Sequence, residues 1–348
     1  MVIIKIEVDM NKILGEKYEE KFKDFSIGYQ KINKLLGYGK SAAVFSTIGP
    51  SNLVIKIFDN EIISRFGTEA QIERIKNEIS LKDHNIENLV KIIDGGTFEH
   101  DKENYYYIMM EYIEGINLKE YIKNNGPQNE LFAKNVFKTL YSVTEKLLAR
   151  GIVHRDIKPE NIMVSDNEIK LMDLGVIKII DNPSITDVGD YKPFIGTLRY
   201  APPEFLLREE KHTKEAFRAI NIYQIGATLH DIIMGNELFY QYSEPYSKVV
   251  IAVTEETPII QRLDYNYKFI NFINNLLIKD PISRIGLFSK VNIEELLKNT
   301  DNKSGDDIDE IMKMTMGIKN KLENIKKINL KAKQHENIHK NMRVLTYR

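Results

Sequence analysis

Apolar and polar positions change their rhythm near Gly115 of the 348 residues. Before that point short runs with period-two character dominate, the mark of half-buried strands. Residues 1–28 open with a short apolar run and pass into a charged helical stretch. From Tyr29 the pattern is β: an apolar run, a turn carrying Gly37 and Gly39, then Ala43-Val44-Phe45, and the run Leu53–Phe58 after a Gly-Pro turn. Residues 66–82 predict a helix, with Ile72, Ile75, Ile79 and Leu81 as its apolar positions. Strands are expected again at 89–93 and 106–112. Past Gly115 the texture is helical. The clearest helix is expected over 129–149, between Gly126-Pro127 and Gly151. Two short strands, 162–164 and 169–171, interrupt the helices, and further helices are expected over 218–234 and 266–278.

The pattern therefore predicts an α+β protein, a small β-rich region with one main helix followed by a larger, mainly α-helical one. The expected divisions are an extension at 1–28, a small lobe at 29–114, a large lobe at 115–299 and a helical tail at 300–348. The hinge is expected between Glu111 and Gly115. In the tail Ile308, Ile311, Ile318, Leu322 and Ile325 recur at helical or loose heptad spacing.

Composition narrows the function classes. Hydrophobic residues make up 43% and charged residues 28%, as in ordinary globular chains. The formal net charge of −1 gives the whole molecule no bulk attraction to nucleic acid or membrane. It is unevenly spread, because residues 311–348 hold ten Lys or Arg against two Glu. That tail predicts either a solvated helix docked on the large lobe or a basic helix for an anionic membrane surface, nucleic acid or acidic partner. The absence of cysteine excludes disulfides, thiolate metal sites and a cysteine nucleophile. No run approaches 18 apolar residues, so no transmembrane segment is expected. The first residues lack a signal-peptide core, and a cytoplasmic protein is the expectation. No internal repeat is present.

The chemistry concentrates in His154-Arg155-Asp156-Ile157-Lys158-Pro159-Glu160-Asn161. One carboxylate, one ammonium and one amide lie within six positions of a loop. A carboxylate can orient a hydroxyl and take its proton, an ammonium can meet a transferring phosphoryl group, and an amide oxygen can ligate a metal. Twelve residues after Asn161, behind a strand-turn-strand, Asp173-Leu174-Gly175 offers a second metal-binding carboxylate.

These segments strongly resemble the catalytic and metal-binding segments of eukaryotic-type serine/threonine protein kinases. The resemblance covers roughly residues 29–299 and implies the two-lobed protein kinase fold, with ATP and Mg²⁺ as cofactors and a protein as substrate. Gly37-Tyr38-Gly39-Lys40-Ser41-Ala42 is similar to the glycine-rich loop over the phosphates, with Ala42 replacing the third glycine. Lys56 resembles the strand lysine that holds the α- and β-phosphates. Its expected carboxylate partner is Glu78, with Glu73 as the competitor. Met110 to Gly115 is similar to the interlobe hinge, which implies Met110 as gatekeeper and pairing of the adenine edge with the Glu111 carbonyl and the Ile113 N–H. Val44, Val54 and Met163 are implied to sandwich the ring. By the same resemblance Asp156 is the catalytic carboxylate, Lys158 offsets charge on the γ-phosphate, and Asn161 and Asp173 hold Mg²⁺. Gly196-Thr197 and Pro202-Pro203-Glu204 are similar to the substrate-binding segment, and Arg284 to the arginine that braces Glu204. Lys158 together with Thr197 points to the serine/threonine branch.

Two departures carry expectations of their own. Asn221 stands where the family usually has an aspartate that accepts backbone hydrogen bonds from the catalytic loop, so weaker bonds are expected there. Arg155 implies control by a charge on segment 176–195, for which Asp187, Asp190, Ser184, Thr186 and Tyr191 are candidates. The competing readings are a pseudokinase that binds partners without chemistry, and a small-molecule kinase. The second is disfavoured by the substrate-binding segment and Arg284.

Overall fold

Alternation of apolar and polar residues in the first part of the chain builds a six-stranded sheet, β1 (Ser26–Ile27), β2 (Gln30–Tyr38), β3 (Ala42–Ile48), β4 (Leu53–Phe58), β5 (Ile92–His100) and β6 (Glu103–Glu111). A computed structural model describes residues 15–39, 42–65, 68–166, 168–175, 177–180, 196–242 and 246–298. The strand order is β1-β2-β3-β4-β6-β5, antiparallel throughout. Register decides the two faces. Val44 lies opposite Lys56, and Val54 opposite Met110, so these four share one face. Ala43, Phe45, Ile55, Ile57 and Met109 belong to the other, where a separate core forms around Tyr18, Phe22 and Tyr105. Tyr18 and Phe22 come from helix α1 (15–21) and its exit turn. The expected extension thus supplies part of the small lobe's core. Phe22 is fully buried, which contributes on the order of 1.5–3 kcal/mol.

The strand expected at 89–93 begins instead at Ile92 and runs to His100. Asp101 and Lys102 close a two-residue hairpin with φ of 51° and 66°, the backbone of a primed turn. The sequence hides this turn because Asp-Lys replaces the usual Asn-Gly or Asp-Gly pair. Leu89 makes a single parallel bridge to Leu171. Helices α2 (Asn60–Arg65) and α3 (Thr68–Ile79) follow β4, and a short 3-10 turn, Ser80–Asp83, ends the stretch expected as helix to 82.

Past β7 (Ile116–Asn117) the chain is mainly helical. Helix α4 (Leu118–Asn125) is capped by Asn117, and α5 (Glu130–Ala149) by Asn129, whose side chain accepts from the Phe132 N–H at 2.9 Å. Such a cap contributes about 1 kcal/mol. Four short strands follow, β8 (Ile152–Val153), β9 (Ile162–Val164), β10 (Ile169–Leu171) and β11 (Lys178–Ile179). Then come α6 (Pro203–Leu206), α7 (Lys214–Met234), α8 (Tyr246–Glu255), α9 (Tyr267–Leu276), α10 (Pro281–Phe288) and α11 (Ile293–Leu297). Helix α7 is buried continuously from Ala219 to Ile233, the polar Asn221, Gln224, Thr228, His230 and Asp231 included, and forms the axis of the large lobe. Gly226 lets α9 approach it, since a Cβ there would lie 2.7 Å from Leu276 Cβ. A β-rich small lobe thus precedes a mainly helical large lobe. The expectations placed on 1–14, on 181–195 and on the tail at 300–348 lie outside the described residues.

Candidate active site

Between the lobes, β4 carries Lys56 on the face opposite the aromatic core. Its Nζ lies 3.1 and 3.2 Å from the two carboxylate oxygens of Glu78 near the end of α3. It also lies 3.1 Å from Oδ1 of Asp173, just beyond β10. The carboxylate that meets Lys56 is therefore Glu78 rather than Glu73. Burial alone would lower the Lys56 ammonium, but Asp173 and Glu78 outweigh it and hold the group above its usual value. Burial pushes Glu78 up against the pull of Lys56. For Asp173 the Lys56 cation dominates over burial and lowers the carboxyl to about 2, so it stays ionised at any ordinary pH. Half of the Asp173 side chain remains exposed toward the cleft.

The second group of residues sits on the loop between β8 and β9. Asp156 is buried and its carboxylate is fully engaged. Oδ1 accepts from Thr197 Oγ1 at 3.0 Å, while Oδ2 meets Lys158 Nζ at 3.0 Å and Asn161 Nδ2 at 3.1 Å. Lys158 also donates to Thr197 Oγ1 at 2.7 Å. Asn161 ties the loop to itself through the Asp156 carbonyl at 2.8 Å. With its N–H groups turned inward, the Asn161 amide keeps its oxygen for another partner.

His154 is a residue of this loop to which the sequence assigned no role. Its Nε2–H donates to the Met172 carbonyl at 2.9 Å, and Nδ1 accepts the Asp156 N–H at 3.3 Å. The acceptor contact at Nδ1 requires the neutral ring, and burial holds the imidazole below its usual value. His154 thereby links the Asp156 loop to the residue before Asp173. Arg155 and Asp173 both have left-handed backbone, φ 68° and 55°. Such non-glycine conformations cost about 1–3 kcal/mol each and persist only where surrounding contacts impose them.

The expected anchoring of this loop by Asn221 is corrected by the structure. Asn221 is buried, but its Oδ1 has no hydrogen-bond partner among the described residues. Gln224, one turn on along α7, does the holding. Its Nε2 donates to the Arg155 carbonyl at 2.9 Å and its Oε1 accepts from the Ile157 N–H at 3.4 Å. The signal was present in the i, i+3 spacing, which puts both side chains on one face of the helix.

The remaining expected residues lie on neighbouring elements. Val44, Val54 and Met110 share the Lys56 face of the sheet. Gly37 and Gly39 close β2 and the turn after it. Glu111 ends β6, where its side chain accepts from the Lys91 N–H at 2.9 Å and pairs with Lys170 at 2.8 Å. Ile113 follows in the connection to β7. Met163 lies on β9, paired with Asn117 of β7. Farther down, Arg284 is fully buried and forms an ion pair with Glu204.

The donor set suits a hard cation. Asp173 and the Asn161 amide supply oxygen only, as Mg²⁺ prefers when phosphates complete its shell. No group of three His, Cys, Asp or Glu poised to hold a metal occurs among the described residues, and such a shell does not need one. No helix among them is long and apolar enough to cross a membrane.

Comparison with known proteins agrees with this geometry. The family described as "Protein kinase domain" matches residues 29–300. Serine/threonine-protein kinase PrkC of Bacillus subtilis is 32% identical over 274 residues, which are 74% of this chain and 38% of that protein. Probable serine/threonine-protein kinase PknB of Lactococcus lactis is 27% identical over 286 residues, 78% of this chain and 40% of that protein. Serine/threonine-protein kinase RAD53 of Saccharomyces cerevisiae is 25% identical over 277 residues, 76% of this chain and 32% of that protein. The chain spans two fifths or less of the length of these relatives.

Proposed function

Since the chain belongs to the protein kinase family, we propose that it transfers the γ-phosphoryl group of ATP to serine or threonine hydroxyls of a protein substrate. The observation that carries this reading is the convergence of Lys56, Glu78 and Asp173 at the lobe boundary beside the Asp156–Lys158–Thr197 cluster.

In this reading Lys56, fixed by Glu78, binds the nucleotide phosphates. Gly37 and Gly39 are consistent with that, since neither is demanded by the protein's own packing. A Cβ at Gly37 would meet no described atom within 4 Å, and one at Gly39 only the Ala42 carbonyl at 3.9 Å. The space is open where phosphate oxygens would need to approach backbone N–H groups. Val44, Val54, Met110 and Met163 supply apolar walls for adenine, whose edge pairs with the backbone at Glu111 and Ile113. Asn161 and Asp173 hold Mg²⁺, which when bound neutralises charge on the phosphates. Asp156 then orients the incoming hydroxyl and accepts its proton at a carboxylate oxygen now shared with Thr197 and Lys158. Lys158, bridging Asp156 and Thr197, lies where charge develops on the transferred group. Most of the acceleration comes from positioning and electrostatics.

The test is transfer of label from [γ-³²P]ATP by the full chain to a degenerate peptide library. Asp156→Asn and Asp173→Ala are expected to lower transfer at least ~100-fold, the scale of a lost acid–base or charge-stabilising group. Equal labelling by wild type and both variants would overturn the reading. MgATP binding with no transfer by wild type would favour a pseudokinase instead.

A further inference from the structure

Helix α1 precedes the segment matched by the kinase family, which begins at residue 29, yet it lies directly against the strand that leads into the glycine-rich turn. Four contacts make this junction. Glu19 Oε1 accepts from the Leu35 N–H at 3.1 Å. The rings of Tyr18 and Tyr38 meet edge to face, with centroids 5.6 Å apart and planes at 65°. The Tyr38 hydroxyl donates to Asp59 Oδ2, and the Tyr18 phenol lies near enough to feel the charge of the same carboxylate. Packing is so close that a Cβ at Gly15 would lie 3.0 Å from Leu35 and 3.2 Å from Tyr38.

Asp59 is the hub. It is 3% exposed, directly follows β4, and its Oδ1 accepts the Glu61 N–H at 2.8 Å at the start of α2. One buried carboxylate thus gathers a tyrosine from α1, a tyrosine from between the two glycines, and the end of the strand that carries Lys56. Burial first, and Asp59 beside them, raise both phenols, so both remain protonated. None of these three side chains has a part in the phosphate chemistry.

We propose that Tyr18 and Asp59 are positioning residues that act through Tyr38 to fix the height of the glycine-rich turn over the nucleotide, making α1 a control element for nucleotide affinity. The proposal rests on the kinase reading above for its ligand, but the geometry it claims belongs to the nucleotide-free protein. Tyr38 sits between Gly37 and Gly39, so the turn cannot lift without breaking the ring contact and the hydroxyl bond together. Glycine flanks would otherwise leave that turn the least constrained backbone in the cleft.

The test uses the full chain and Tyr18→Phe, Tyr18→Ala and Tyr38→Phe. Hydrogen exchange of the amides at 36–39 is measured without nucleotide, with α7 amides as the reference. Tyr18→Ala is expected to speed exchange at 36–39 up to about tenfold, the scale of one lost ring contact. Exchange in α7 should stay unchanged. Tyr18→Phe keeps the ring and should recover part of the protection. In turnover, Tyr18→Ala should raise the KM for ATP severalfold while kcat stays within about twofold, since positioning before chemistry acts on binding. If Tyr18→Ala unfolds the small lobe, Tyr38→Phe decides the matter, as it removes only the hydroxyl that bonds Asp59. Unchanged exchange at 36–39 in Tyr38→Phe would overturn the proposal. A wild type that neither binds nor turns over ATP would overturn the kinase reading alone, and the exchange comparison would still decide this one.

Discussion

Gln224 and Asn221 show how one methylene redistributes a role. Both side chains are buried on α7 beside the catalytic loop, yet only the longer amide reaches the backbone at Arg155 and Ile157. Those groups are buried, and leaving a buried donor or acceptor unpaired costs about 1–3 kcal/mol. Gln224→Ala should therefore lower stability by roughly that amount and reduce kcat by slackening the loop that carries Asp156. Denaturant unfolding and steady-state kinetics check the two effects. A Gln224→Ala protein with wild-type stability and kcat would show that the loop is held by other contacts. The same residue scale explains the strained backbone at Arg155, which bonds from Gln224 and from the His154–Asp156 pair hold in place.

At the scale of elements, the connection from α9 to α10 holds a half-buried lysine among rings. Lys279 Nζ donates to the Tyr223 hydroxyl at 3.2 Å and lies 5.0 Å from the Phe239 ring centroid. The aromatic faces favour the cation, but burial first and the Arg284 guanidinium second lower the ammonium to about 7. The unfolded value is near 10.4. Between those values the unfolded chain binds more protons than the folded one, so stability rises as pH goes from about 7 to about 10, and the gain is lost again as pH falls from about 10 to about 7. Lys279→Met should abolish that slope and raise the urea midpoint near pH 7. A slope that survives the substitution would assign it to other groups. Arg284 differs from its neighbour, since Glu204 pairs with it and a charge so buried needs that partner.

For the whole molecule, the ion cluster at Lys56 joins the lobes. Lys56 and Glu78 come from β4 and α3 of the small lobe, and Asp173 from the large lobe. Under the proposed function, nucleotide affinity and lobe arrangement are therefore coupled through one ammonium. Glu78→Gln keeps the shape but removes a charge-assisted bond of about 1.5–3 kcal/mol, so kcat/KM for ATP should fall about tenfold or more. The shift in melting temperature on adding MgATP should shrink with it. Full activity and an undiminished shift would mean that Asp173 alone fixes Lys56.

The sequence by itself determined what is local. Turn residues, helix caps and periodicity depend on neighbours within a few positions, so the change from strands to helices at Gly115 and the helix over 130–149 were readable. The loop from His154 to Asn161 was readable too, because its chemistry is contiguous. Only the tertiary structure decided what depends on which faces meet. It set the expected Glu78 rather than its competitor Glu73 against Lys56, gave the support of the His154–Asn161 loop to Gln224, closed β5 and β6 across an inconspicuous Asp-Lys turn, and laid α1 against Tyr38. Each of these joins residues far apart in the chain or picks among chemically equal candidates. Packing energy, spread over many contacts of the folded lobes, makes such choices, and no short window of sequence contains it.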